Sequence, residues 1–187
     1  KMANVLWEDV GNVEKGKQQF DEALKILETE PENVELARLY EDIAHMHYRV
    51  GEAPQARSWA EKGLELAKKL NAQEVVAGSS ISLGVALLQA GDWKKAVECH
   101  ERALKIALDN GYVETASRAY NTLAVALPFE QLERSIECWE KGLELARKVG
   151  GVQLVCMFDV NLSSIYIGMG NMDKAVSLLE ESAALSR

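Results

Sequence analysis

The sequence predicts an all-α fold, a solenoid of about four and a half helix-turn-helix repeats spread over 187 residues. A glycine returns about every forty residues, at Gly11, Gly51, Gly91 and, after one deleted residue, Gly170. The same register carries small residues at Gly16, Ala56, Ala96, Ser135 and Ala175, followed by Leu24, Leu64, Leu104 and Leu143. The composition agrees. With 48% hydrophobic residues, only 6% aromatic and 3 prolines, the chain is built from small and unbranched side chains that lose little freedom in a helix and let helices approach closely.

The register divides the chain into repeats of about residues 1–34, 35–74, 75–114, 115–153 and 154–187, forming a single solenoid domain without a linker. The first is a half, because the residues before Gly11 supply only about ten positions of a helix that occupies nearly twenty elsewhere. The second repeat places Leu39, Ile43, Ala44, Met46 and Tyr48 on its first helix. It breaks at Val50-Gly51-Glu52 and continues through Ala56, Ala60, Gly63 and Leu64, with Pro54 in the first turn, where a missing N–H does no harm.

The third repeat is the most regular. Ile81, Val85 and Leu88 form one stripe and Leu83, Ala86 and Leu87 widen it, so this helix is apolar nearly all round and is expected to be buried on more than one side. Gly91 breaks it, Asp92 caps the next helix, and that helix presents Trp93, Ala96, Val97, His100, Ala103, Leu104 and Ala107 on its packed face, ending at Asn110-Gly111. The fourth repeat keeps the pattern through Leu123-Ala124, Ser135, Trp139, Gly142 and Leu143 but loses a residue and the glycine; Pro128 stops its first helix instead. The fifth runs from Asn161-Leu162-Ser163 through Tyr166 and Gly170 to Ala175, Leu179 and Ser182. Neither end reads as a finished cap: Val5, Leu6 and Trp7, and Val176, Leu178, Leu179 and Leu185, are apolar where a further repeat would cover them. The expectation is a piece of a longer polypeptide, or ends that self-associate.

A formal charge of -8 and a pI near 5.0 argue against nucleic acid as a partner. The alternating charges of Glu61-Lys62, Glu101-Arg102 and Glu140-Lys141 read as solvated outer faces. Cys99, Cys138 and Cys156 have no ligand-like spacing, and their odd number fits a reducing compartment. No apolar run is long enough to span a bilayer and no signal peptide is visible, so a cytoplasmic location without a membrane partner is expected.

On these positions the chain resembles the tetratricopeptide repeat. Leu83-Gly84 with Leu87, the turn Gly91-Asp92-Trp93, and Ala96 with Ala103 match the family's large-small pair, its turn and its two small residues. Ile43-Ala44 with Ala56 and Gly63, Leu123-Ala124 with Ser135 and Gly142, and Leu162-Ser163 with Ala175 and Ser182 match in the other repeats. A period near forty rather than the common thirty-four is similar to the longer-helix branch, seen in cell-polarity scaffolds of the LGN type and regulatory domains of MalT-like activators.

The resemblance implies a right-handed α-α superhelix whose first helices line a concave groove for a peptide or amphipathic helix of another protein. By register the groove takes Arg38, Asp42, His45, Tyr48, Arg49 and Gln89 toward one end, and Arg118, Asn121, Thr122, Asn161 and Ser164 toward the other, with Ile81 and Ser82 between them. Arg38 and Arg118 pair with neighbouring acids or with a partner; Asn121 and Asn161 serve inter-helix hydrogen bonds or a bound backbone. Lysines of the family's carboxylate clamp are missing at the matching positions.

No catalytic, metal or cofactor site is expected. His45 and His47 are two apart on a helix and point to nearly opposite faces. His100 holds a packed position matched by Ala60 and Trp139, Cys99 and Cys138 recur as packing residues, and the tryptophans Trp59, Trp93 and Trp139 read as packing between repeats. The glycines lack the strand-to-helix context of a phosphate loop. The reading is a non-catalytic interaction scaffold, with a regulatory or sensor domain of a larger signalling ATPase, transcription activator or nucleotidyl cyclase as the alternative.

Overall fold

A computed structural model describes residues 13–185, and every described element is helical. The positions Gly11, Val5, Leu6 and Trp7 lie outside the described residues. Two compact units are distinguished, residues 1–91 and 92–187.

The first unit contains α1 (Val13–Leu27), α2 (Val34–Arg49), α3 (Ala53–Lys69) and α4 (Gln73–Gln89). Each packs on the next in the chain and α2 also meets α4, as short turns between helices require. Asn33 caps α2 by accepting from the Leu36 N–H at 2.9 Å. Gly51 takes φ +80°, a conformation that a side chain would strain, and Pro54 lies in the first turn of α3 as its fixed φ predicts. Asn71 makes the equivalent left-handed turn before α4 at φ 55°, a place the glycine register does not mark. Phe20, Leu39, Ile43 and Met46 form the core that joins α1 to α2. Of the apolar residues expected to bury α4, Ile81, Ala86 and Leu87 are buried and Leu83, Val85 and Leu88 are half-buried, while buried residues succeed one another right round the helix from Val75 to Ser82.

The second unit contains α5 (Trp93–Asp109), α6 (Val113–Ala126), a 3-10 turn (Phe129–Gln131), α7 (Leu132–Lys148), α8 (Val152–Gly168) and α9 (Met172–Leu185). Consecutive helices pack together here too, and α6 meets α8. The Asp92 carboxylate caps α5 by accepting from the Lys95 N–H. Leu127 leaves the helix in extended conformation (φ -68°, ψ 138°), as a residue before proline must, so α6 stops at 14 residues where α5, α7 and α8 have 17. The core gathers Leu123, Trp139, Leu143, Val155, Phe158, Leu162 and Tyr166. The described helices of 14 to 17 residues are shorter than the expected length near twenty, because each turn withdraws three or more residues from the helical register.

Candidate interaction site

In the first unit the expected groove residues lie on α2 and at the end of α4. The Arg38 guanidinium donates to Glu74 across the two helices at 2.7 Å, and this hydrogen bond raises its pKa further. The His45 ring lies against Tyr48, with centroids 4.8 Å apart, and Gln89 donates to the Tyr48 carbonyl at 3.4 Å. Asp42 is half-buried and Arg49 exposed. His47 points elsewhere, its Nδ1 2.5 Å from the Glu52 carboxylate, which also accepts from Lys17 at 3.1 Å; these two contacts hold the Glu52 pKa below the usual carboxylate range. Two expectations fail: Ile81 and Ser82 are 1% and 0% exposed and cannot touch a partner, because α4 has no solvent stripe at those positions.

In the second unit the two asparagines meet. The Asn121 side-chain carbonyl accepts from the Trp139 indole N–H at 3.1 Å and from the Asn161 amide at 3.0 Å, while its own amide faces the Met157 sulfur at 3.5 Å. Asn121 is therefore a structural amide that ties α6 to α7 and α8. Asn161 is spent only on its donor side, and among the described contacts its carbonyl oxygen accepts nothing. Thr122 and Ser164 donate back to carbonyls of their own helices, to Arg118 and Ala119 at 3.2 Å and to Val160 at 2.8 Å. Their oxygens keep lone pairs for an incoming N–H. Arg118 is half-buried one turn before Thr122.

Groups with chemical potential lie elsewhere and are muted by burial. His100 is fully buried without a hydrogen-bond partner among the described residues, and desolvation lowers its pKa to about 4, so it is neutral. Burial raises the Cys138 thiol pKa, the opposite of what a nucleophile needs. Trp139 is buried and Trp59 stacks against Tyr40 at 5.5 Å, both as packing residues. Trp93 corrects the expectation: it is 54% exposed rather than packed, because the shortened α6 leaves its flank uncovered. Sequence reasoning also missed Asp159, fully buried on α8 with neither carboxylate oxygen hydrogen-bonded to a described residue. Its signal was available: it is the one carboxylate of the Val152–Gly168 helix and holds the register of Tyr40 and Tyr120.

Tetratricopeptide-repeat family models match residues 1–69, 79–113 and 160–187. The chain belongs to the tetratricopeptide-repeat family. The longest stretch outside those matches, residues 114–159, contains the Leu127-Pro128 turn. Among curated proteins, tetratricopeptide repeat protein 29 of Trypanosoma brucei brucei is 26% identical over 125 residues. Outer dynein arm-docking complex subunit 4 of Danio rerio is 29% identical over 103 residues. The chain spans only 26% and 20% of the length of these relatives, and they cover 65% and 54% of it.

Solved structures agree on the fold. A Rap protein complexed with competence and sporulation factor covers 96% of this chain with TM-score 0.85 at 16% identity, the chain spanning 50% of it. The Rap conjugation gene regulator of plasmid pLS20, in complex with the Phr* peptide, covers 99% with TM-score 0.81 at 22% identity, the chain spanning 52% of it. A signal transduction ATPase with a tetratricopeptide-repeat sensor from Pyrococcus horikoshii covers 98% with TM-score 0.69 at 16% identity, the chain spanning 28% of it. These likenesses establish the all-α helical-repeat fold. Among the described residues no helix is long and apolar enough to cross a membrane.

Proposed function

We propose that this chain is a non-catalytic protein-interaction scaffold that takes a peptide or amphipathic helix of another protein on the exposed positions of α2 and the end of α4 in the first unit and of α6 and α8 in the second. The observation that carries the reading is the half-used Asn161 amide, an acceptor without a partner among the described residues, on a face that also offers the Thr122 and Ser164 oxygens. A peptide needs such groups, since its backbone N–H must find an acceptor when it leaves water. Support also comes from the Rap proteins of the same fold, one complexed with competence and sporulation factor and one with the Phr* peptide. The setting remains that of the sequence reading, a reducing cytoplasm.

Affinity capture tests this, comparing the wild-type chain with Arg118→Glu and Asn161→Ala and reading bound proteins by mass spectrometry. A protein held by the wild type and lost from both folded variants is the expected result. Capture of the same proteins by all three overturns the groove. A sensor role within a larger signalling ATPase is the second reading, favoured by the likeness to the Pyrococcus horikoshii sensor. A nucleotide-binding segment flanking this stretch in the same polypeptide would select it.

A further inference from the structure

The second unit carries an apolar cleft that none of Arg118, Asn121, Thr122, Asn161 and Ser164 lines. It opens where α6 ends early. Leu127 turns out of the helix, Pro128 prevents its continuation, and the turn that α5, α7 and α8 possess is missing here. The space of about 620 Å³ is walled by Trp93, Val125, Pro128, Phe129, Leu132 and Trp139. A smaller hollow of about 320 Å³ shares Trp93 and Pro128 with it and reaches Val97. Two of these walls are large aromatic side chains turned to water, Phe129 at 84% and Trp93 at 54% exposure. Isolated exposed apolar residues are ordinary, but two exposed aromatics beside Val125, itself half-exposed, over one hollow form a patch of the kind that marks contact with another molecule.

The charges around the cleft decide what that molecule is. Lys95 is bound to Asp92 at 2.7 Å, and Arg134 to Glu101 at 2.5 Å and to Gln131 at 3.1 Å, so these cations are spent. Glu98 and Glu130 line these spaces, are exposed and form no ion pair among the described residues, against one lining cation, Lys94. The rim is therefore acidic over an apolar floor. A basic segment gains on both counts: it places an apolar side chain on the aromatics and offers cations to carboxylates that have none.

We propose that this turn is a second docking site, for a short basic segment of another protein that carries a bulky apolar side chain. The hollow holds one or two such side chains, which suits a linear segment rather than the flat face of a folded domain. A second copy of this chain, at net charge -8, would bring acid to acid.

The test is selection from a random peptide library displayed on phage against the immobilised full chain, followed by anisotropy titration of the enriched peptides. The comparison variants are Phe129→Asp, the pair Glu98→Lys/Glu130→Lys, and as controls Arg118→Glu and the charge-matched pair Glu65→Lys/Glu180→Lys. Phe129 is almost fully exposed, so its replacement leaves the core intact, and circular dichroism checks this. The expected result is a class of enriched peptides with a bulky apolar residue flanked by Lys or Arg. Their affinity falls at least about tenfold on Phe129→Asp, falls again with the charge reversal beside it, and is unmoved by Arg118→Glu. The proposal is overturned by the absence of any enriched peptide sensitive to Phe129→Asp, by sensitive peptides lacking basic residues, or by equal losses from the charge-matched control reversal. It is also overturned by a dimer of the chain that Phe129→Asp dissolves, which would make a second copy the occupant. Because Arg118→Glu reports on the groove and Phe129→Asp on the turn, the two sites fail or stand separately.

Discussion

Asp159 shows what a single side chain contributes. Burial pushes its pKa up to about 6 from the ordinary 3.8; the nearby Glu181 carboxylate acts in the same direction, and Arg147, held by Glu181 at 2.9 Å, only partly opposes them. The folded protein thus keeps this proton up to about pH 6, whereas the unfolded chain releases it near 3.8. Between those values the folded state binds more protons. The stability this site contributes is present in full below the lower value and is lost as the pH rises through the upper one. Thermal melts should therefore show Asp159→Asn gaining on the wild type at pH 7.5 and the advantage shrinking toward pH 4.5; a pH-independent difference would show that the carboxyl is ionised in the fold. The Asn121–Asn161 pair belongs to this scale too. Its spacing of one repeat was readable, but its hydrogen bonds were not, because an amide can serve a neighbouring helix or a ligand equally well.

At the scale of the element, the recurring small residue of each second helix is a spacing device. Gly142 on α7 lies at the crossing with its neighbours: an added Cβ would come 2.6 Å from Cε1 of Phe158 on α8 and 3.1 Å from the Tyr120 Cβ on α6. Phe158 is fully buried and has nowhere to retreat, and the Ser117 hydroxyl on α6 donates to the Gly142 carbonyl at 2.9 Å, which fixes the close approach. Helix propensity alone favours Gly142→Ala by about 1 kcal/mol. Overpacking costs roughly 1–3 kcal/mol and should win. Chemical denaturation should show net destabilisation with unchanged helical content, and a stabilised variant would mean that the helices can part without cost. The helix-turn-helix order, the Asp92 cap and the stop at Pro128 were legible because caps, prolines and glycines act locally. The cleft beside Pro128 was not, since an absent turn matters only through the Trp93 flank that it leaves bare.

For the whole molecule, the acidic balance and the repeat register bear on association. The described part of α9 leaves Met172, Val176, Leu179 and Leu185 between 41% and 54% exposed, whereas Leu143 and Trp139 on α7 are buried under α8. The alternative that this face self-associates predicts a rise in mass with concentration in sedimentation equilibrium that Leu179→Asp abolishes. A constant monomer mass across the dilution series removes this reading. The Trp7 counterpart of the same expectation lies outside the described residues.

By itself the sequence determined the fold class, the turns marked by Gly51, Gly91, Asn110-Gly111, Pro128 and Gly170, and the family, because a repeat writes the same local signals several times and local signals need no partner to be read. It also determined which positions must be small, though not which neighbour enforces it. The tertiary structure alone decided that Ile81 and Ser82 are buried, that Trp93 is bare, that Asn121 is consumed while Asn161 keeps an acceptor, and that Asp159 is fully buried. Exposure and hydrogen-bond choice are properties of what packs alongside a helix, and in a repeat the neighbours differ even where the register is the same.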